Sequence, residues 1–315
     1  MLAVLGITFP IFATIALGYL LTRRGLFAPP EMAVFGRFVV NIALPALIFA
    51  GVTSRPLTEV FNAGYALSYG LVAVLNGVAG FLVMTLAGWR AEKRAVGLLG
   101  MVCANSGYVG YPVMLLAAPD IAGTYLTLNL IVENFFVLPL AILVMELSRS
   151  GGRVSPLLLL RVIVMGLLRR PMILFLLIGL GVNLLGVPLP VGVTRLATLF
   201  AAASSALALF YIGGSLVGLP LRGNVRLAST VVAMKLFGMP LAALAVLAAG
   251  PLLGLPPLGT GLELGLIVTA AVPMLGIYAI LAGEHGQEGM ASIAQLGATI
   301  TAFFTLSALL ALLHP

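Results

Sequence analysis

Charge is scarce in this sequence: Asp, Glu, Lys and Arg make up 8% of its 315 residues, and only nine of them are acidic. With 62% hydrophobic residues and a mean hydropathy of +1.21, the chain has too little polar surface to face water. That excludes a soluble globular domain and places the chain in a bilayer. Cysteine occurs once, and Cys103 alone excludes an internal disulfide and a cysteine metal cluster. It reads as a small packing residue. The two histidines, His285 and His314, sit at or beyond the ends of apolar runs, and no GxSxG, HExxH or P-loop pattern occurs. An intramembrane enzyme would therefore lack its nucleophile and base, and neither a metal nor a cofactor is expected. The first apolar run has no basic n-region and is followed by Arg23 and Arg24, so it reads as a retained span and not a cleaved signal peptide.

What the sequence does have is long stretches without charge. Apolar runs of roughly 20 residues, the length that crosses the hydrocarbon core, recur at about 2–21, 31–53, 63–88, 95–118, 122–147, 171–188, 193–218, 227–249, 258–282 and 290–313. The expected fold class is all-α integral membrane, with ten transmembrane helices. Thirteen of the sixteen Lys and Arg fall at alternate turns: Arg23, Arg24 and Arg37; Arg90, Lys93 and Arg94; Arg149, Arg153, Arg161, Arg169 and Arg170; Arg222 and Arg226. The opposite turns hold Arg55 and Arg195, and Lys235 lies inside a run. Positive charge is retained in cytoplasmic loops, so both termini are expected outside. The net charge of +7 follows from that topology and from anionic lipid, and gives no reason to invoke nucleic acid. Arg outnumbers Lys fourteen to two beside abundant Ala, Gly and Leu, which hints at a GC-rich bacterial source and an inner membrane.

Two of the runs are broken at equivalent points. Pro112 and Pro273 lie 161 residues apart, as do Pro10 and Pro171, Gly18 and Gly179, and Phe49 and Phe210. Five spans written twice reverse the sidedness of the second copy, so the halves are expected to be inverted repeats. The expected division is 1–147 for the first five-span repeat, 148–170 for a short basic linker along the cytoplasmic interface, and 171–315 for the second repeat.

The breaks are the candidate substrate site. Gly107, Gly110 and Pro112 remove side chains and one N–H, so the helix can open at membrane depth, where freed backbone is tolerated only against protein or a water-filled cavity. The amides of a restarted half-helix favour a carboxylate, and Pro112 suits its first turn. Asn105 adds a neutral hydrogen bond. Ser106, Pro273 and Gly276 belong to the same two breaks, Tyr108, Tyr111 and Tyr278 offer rings to cover a substrate body, and Asn41 and Pro45 would supply a wall opposite. Three charges lie within the runs: Glu133, one turn beyond Asn129, Lys235 and Glu263. Ionisable groups at membrane depth are costly and are functional candidates by default. A Glu133–Lys235 ion pair would lower the cost of both, and burial favours the neutral form of a carboxyl group, which makes Glu133 the candidate for proton coupling. Close helix packing, a simple proline kink, snorkelling of Lys235 and an interfacial Glu263 are the structural readings of the same residues.

Asn105-Ser-Gly-Tyr-Val-Gly110-Tyr-Pro112 resembles the broken fourth span of the auxin efflux carrier family. Ala271-Val-Pro273 through Ala282-Gly-Glu284-His-Gly, with Ser292 and Thr299 beyond, is similar to that family's C-terminal segment, and Asn41-Ile-Ala-Leu-Pro45 fits its second span. The resemblance implies two inverted five-helix repeats with broken, crossing helices four and nine. Spans one, two, six and seven would form a scaffold, spans three to five and eight to ten a mobile transport domain, and substrates would be organic anions such as auxin-like carboxylates, malate or malonate. The long hydrophilic central loop of the plant members is absent here, and Tyr278 stands where they place a second proline, which points away from auxin itself. The implied mechanism is elevator-type alternating access, with proton linkage as a candidate and a homodimer through the scaffold as the candidate assembly. Gln295 and Thr299, one turn apart, could join Asn105, Ser106 and Glu133 as oxygen ligands for a hard cation. That keeps a sodium-coupled organic anion symporter, similar to bile acid transporters, as the second reading, and a passive channel as a third.

Overall fold

A computed structural model describes residues 2–54, 61–149, 165 and 168–313. In chain order the described helices are α1 (Leu2–Arg23), α2 (Pro29–Thr53), α3 (Ala63–Leu86), α4 (Ala91–Val102), α5 (Tyr111–Ala117), α6 (Pro119–Arg149), α7 (Pro171–Leu184), α8 (Val191–Ser215), α9 (Val225–Ala249), α10 (Thr260–Ala271), α11 (Tyr278–Gly283) and α12 (Glu288–Leu313). Among the described residues there is no strand, only an isolated antiparallel bridge between Ala104 and Met274. The described residues are all-helical, as in an integral membrane protein, and among them seven helices are individually long and apolar enough to cross a bilayer: α1, α2, α3, α6, α8, α9 and α12. The ten runs read from the sequence are thus not ten uninterrupted spanning helices. The run at 95–118 is divided into α4 and α5, the run at 258–282 into α10 and α11, and α7 is apolar but only 14 residues long. Most of the 148–170 linker, together with Arg55, Arg153, Arg161 and His314, lies outside the described residues.

Proline sets the local geometry of four helical segments. Each of Pro45, Pro112, Pro139 and Pro240 is preceded, two residues earlier, by the end of a widened π-type turn: Val39–Ala43, Ser106–Gly110, Glu133–Val137 and Met234–Gly238. A proline ring removes one N–H and collides with the carbonyl four residues back. Letting that turn bond i to i+5 relieves the collision without ending the helix. The widened turns hold Asn41, Ser106, Glu133 and Lys235, four of the polar residues singled out in the sequence.

Two buried apolar clusters fill the interior. One joins α3, α4, the second half of α6, α9, α10 and α12; the other joins α1, α2, α7 and α8 with α5 and the first half of α6. Within the second, α1 and α8 touch backbone to backbone, since a Cβ on Gly213 would stand 1.8 Å from the carbonyl oxygen of Ile15 and one on Gly18 2.2 Å from that of Phe210. Gly179 of α7 packs on Val52 and Phe49 of α2, with 3.5 Å between its would-be Cβ and the Phe49 ring. Gly18 therefore faces the backbone of Phe210 and Gly179 the ring of Phe49, with the two glycines, like the two phenylalanines, 161 positions apart.

Candidate functional site

The site begins where two helices stop short of each other. α4 ends at Val102 and α10 at Ala271, and the extended residues that follow pair with one another: the Asn105 N–H donates to the Pro273 carbonyl at 2.9 Å and the Leu275 N–H to the Cys103 carbonyl at 3.2 Å. Freed backbone at membrane depth must find partners, and here each break satisfies the other. The Asn105 side chain accepts from the Tyr108 N–H at 3.3 Å, starting the turn that leads into Pro112 and α5. Gln295 of α12 donates to the Gly276 carbonyl at 3.1 Å, tying the last helix to the second break. Gly110 is required by contact, since a Cβ there would lie 2.2 Å from the Tyr125 hydroxyl.

Beside the paired breaks lies a buried polar chain. Ser106 donates to Glu133 Oε1 at 2.5 Å, and Tyr69 of α3 donates to the same oxygen at 2.8 Å. Asn129 donates to the Tyr65 hydroxyl and to the Tyr125 carbonyl, both at 2.8 Å. The Thr269 hydroxyl, in the last turn of α10, stands 2.9 Å from Asn129 Oδ1, 3.2 Å from the Tyr125 hydroxyl and 3.3 Å from the Tyr65 hydroxyl. Asn129, Thr269 and Lys235 are fully buried, and Glu133 is 8% exposed. A network in so apolar a setting holds one geometry, because each group left without a partner would cost about 1–3 kcal/mol.

Lys235 differs from expectation. Its ammonium donates to the carbonyls of Thr269 at 3.1 Å and Ala270 at 2.9 Å, not to Glu133. The break explains this: α10 ends in unpaired carbonyls at its negative pole, and a buried cation there both satisfies them and meets the helix dipole. Glu133 accordingly has two hydroxyl donors where an ion pair was expected.

The structure brings Asn105, Ser106, Gly110, Pro112, Asn129, Glu133, Lys235, Pro273, Gly276 and Gln295 to the two breaks and the network beside them. It places others differently. Gly107 abuts Leu44, so the wall of α2 at that point is Leu44, whereas Asn41 is exposed and donates to the Arg37 carbonyl of its own helix. Pro45 is buried at the start of the second half of α2. Tyr108 is half-buried, stacked near Tyr211 with its hydroxyl 3.4 Å from the Gly36 carbonyl. Tyr278 is core, fully buried against Gly100 and with its hydroxyl 3.9 Å from Met290 Sδ. Thr299 donates to the Gln295 carbonyl and borders a crevice between α1, α8 and α12, and Glu263 lies in the first turn of α10. Tyr65, Tyr69, Tyr125 and Thr269 were missed from sequence, where a Tyr or Thr inside an apolar run reads as packing. Arg170 was read only as a loop charge, yet it donates to Asn134, the neighbour of Glu133.

A cavity of ≈ 1060 Å³ opens where α2, α7 and α8 face α5 and α6, between Ser54 and the 186–189 turn, with Tyr111 and Leu115 as its wall on the side of the first break. A second crevice of ≈ 560 Å³ lies at the other end of α1 and α8, bounded by Arg23, Leu221 and Thr299.

Over residues 3–310 the sequence matches a family described as membrane transport protein. It is 30% identical over 234 residues to a putative malonate transporter of Rhizobium meliloti (strain 1021), covering 70% of this chain and 69% of that protein. It is 28% identical over 287 residues to an uncharacterized transporter of Methanothermobacter thermautotrophicus (strain Delta H), covering 87% and 86% of the two chains.

Proposed function

Because the chain belongs to the membrane transport protein family, the auxin efflux carrier family that its broken spans resemble, we propose that it is a secondary transporter of small organic anions working by alternating access. The observation that carries this reading is the pairing of the two breaks, Asn105 with Pro273 and Leu275 with Cys103, beside a buried network containing one carboxylate. Broken helices facing each other at membrane depth supply amide and carbonyl ends to a solute. The similarity to a putative malonate transporter favours a short dicarboxylate.

In this reading the chain is two inverted five-helix repeats. The neighbouring of Gly18 with Phe210 and of Gly179 with Phe49, positions offset by 161 residues, supports it, although the first touches backbone and the second a ring. α1, α2, α7 and α8 form the scaffold, and the remaining helices carry the site past it. The two crevices, at opposite ends of that seam, suit a site that opens first to one side and then to the other. Glu133, held by hydroxyls and not by a cation, is the group that takes up a proton. Both termini lie outside a bacterial inner membrane, and the scaffold carries the homodimer contact. The oxygens of Ser106, Asn129, Glu133 and Thr269 gather closely enough to favour one second reading, sodium coupling through those ligands.

The test is uptake of radiolabelled malonate, malate, lactate and indole-3-acetate into proteoliposomes under imposed proton or sodium gradients. Saturable dicarboxylate uptake that follows the proton gradient and is lost in Asn105→Ala is expected. Dependence on sodium would replace the proton reading, and no uptake of any anion by folded protein would overturn the carboxylate site.

A further inference from the structure

A recess opens on the outer surface, on the far side of α4 and α6 from the paired breaks, with Val102 and Phe136 at its inner end. α3, α4 and α6 enclose an apolar groove of ≈ 590 Å³ walled by residues at helical spacing: Val74, Val78, Phe81 and Thr85 on α3, Leu98 and Val102 on α4, and Phe136, Leu140 and Val144 on α6. Its sides are not sealed, for Val78 is 64% exposed and Phe136 and Leu140 are also exposed. Gly77 allows α3 and α4 to close the floor, since a Cβ there would lie 3.1 Å from Leu98 and 3.2 Å from Val102.

One end of the groove is basic. Arg94, one turn before Leu98 on the same face, lays its guanidinium 4.7 Å from the Phe81 ring centroid and donates to Thr85 at 2.7 Å. Its Nε is buried and has no hydrogen-bond partner. Lys93 and Arg226 both lie over the ring of Trp89, in the turn between α3 and α4, 5.9 Å and 5.7 Å from its centroid, and Trp89 Nε1 is likewise without a hydrogen-bond partner. Arg90 adds a fourth cation against a single acid, Glu92, in that turn. From Ala73 to Thr85 the groove wall rises ~18 Å, close to the ~15 Å half-thickness of a bilayer's hydrocarbon core.

We propose that this groove is a binding site for one anionic glycerophospholipid of the cytoplasmic leaflet, an acyl chain lying along α3 and the phosphate meeting Arg94, Lys93 and Arg226. The charge and the shape select the same occupant. A free phosphate would use the basic end alone, and a zwitterionic lipid the groove alone. Each basic residue near an anionic surface contributes about a fivefold gain in binding, so the preference for anionic over zwitterionic lipid is about 25- to 125-fold for two to three contacts. The groove shares none of the polar residues of the paired breaks, so lipid retention is read without reference to transport and can fail while the transport reading stands.

Native mass spectrometry of the purified protein, delipidated in detergent and titrated with phosphatidylglycerol or phosphatidylethanolamine, tests this. The wild type is expected to retain one phosphatidylglycerol preferentially, with glycerol phosphate failing to compete. Arg94→Gln should lower the preference about fivefold, and Val78→Trp, an exposed change that fills the groove, should lose retention of both lipids. Equal retention of the two lipids, retention unchanged in both variants, or competition by glycerol phosphate would each overturn the proposal.

Discussion

Glu133 and Thr269 show how single side chains divide the labour of the site. Glu133 is the one acid among the described residues at the breaks, and its two hydroxyl donors, Ser106 and Tyr69, share Oε1, an oxygen that glutamine also carries. Glu133→Gln should therefore fold with unchanged thermal stability while transport loses its response to an imposed proton gradient; uptake measured with and without that gradient checks it. Thr269 is the opposite case, a neutral hub. Thr269→Val keeps the shape but strips the hydroxyl from Asn129, Tyr125 and Tyr65. The loss should be about 1–3 kcal/mol of stability, read from detergent unfolding, together with impaired uptake. Asn105 and Glu133 were legible in the sequence because a polar residue inside a long apolar run stands out. Thr269 and Tyr65 were not, because their polarity matters only once α3, α6 and α10 meet. Lys235 stands out in the sequence with Glu133 as one candidate partner, and the structure gives it the Thr269 and Ala270 carbonyls. Opposite charges can be matched on paper, whereas the bare carbonyls of Thr269 and Ala270 exist only because α10 stops there.

At the scale of the helix, proline writes the same instruction four times, a widened turn two residues upstream, and three of those turns bury a polar residue, Ser106, Glu133 and Lys235, while Asn41 of the fourth is exposed. The prolines were visible in the sequence, but their effect was read as a break at Pro112 and Pro273 alone. The turns before Pro139 and Pro240, which present Glu133 and Lys235, keep the helix intact and leave no gap in hydropathy. Glycine acts differently, through distance. Gly213→Ala puts a methyl 1.8 Å from the Ile15 carbonyl, a backbone atom that cannot step aside, whereas Gly181→Ala on α7 meets nothing within 4 Å. Overpacking costs about 1–3 kcal/mol and alanine gains about 1 kcal/mol in a helix interior. The first change should lower the unfolding temperature and the second hold or raise it, which parallel melts in one detergent would show.

Across the whole molecule, the matched proline offsets were legible in the sequence, but the surfaces that the helices form together were not, because no residue of the large cavity announces itself in the chain. That cavity draws Thr53, Asn183 and Thr198 from α2, α7 and α8, and Tyr111 and Leu115 from α5. If α5 moves past the others during the cycle, a covalent tie across the cavity must stop transport, while a tie within one wall must not. Cysteines introduced at Leu115 and Thr198 and joined by a flexible bis-maleimide should abolish uptake, whereas a pair at Ser54 and Val187, both on the α2 and α7 side, should leave it intact. The native Cys103 is buried and out of the reagent's reach, so uptake before and after cross-linking reports on the introduced pairs alone. Transport that persists with Leu115 fully tied to Thr198 would mean that α5 stays with α8 throughout the cycle. The moving boundary would then lie elsewhere, and the division of the chain into a scaffold and a carried site would have to be redrawn.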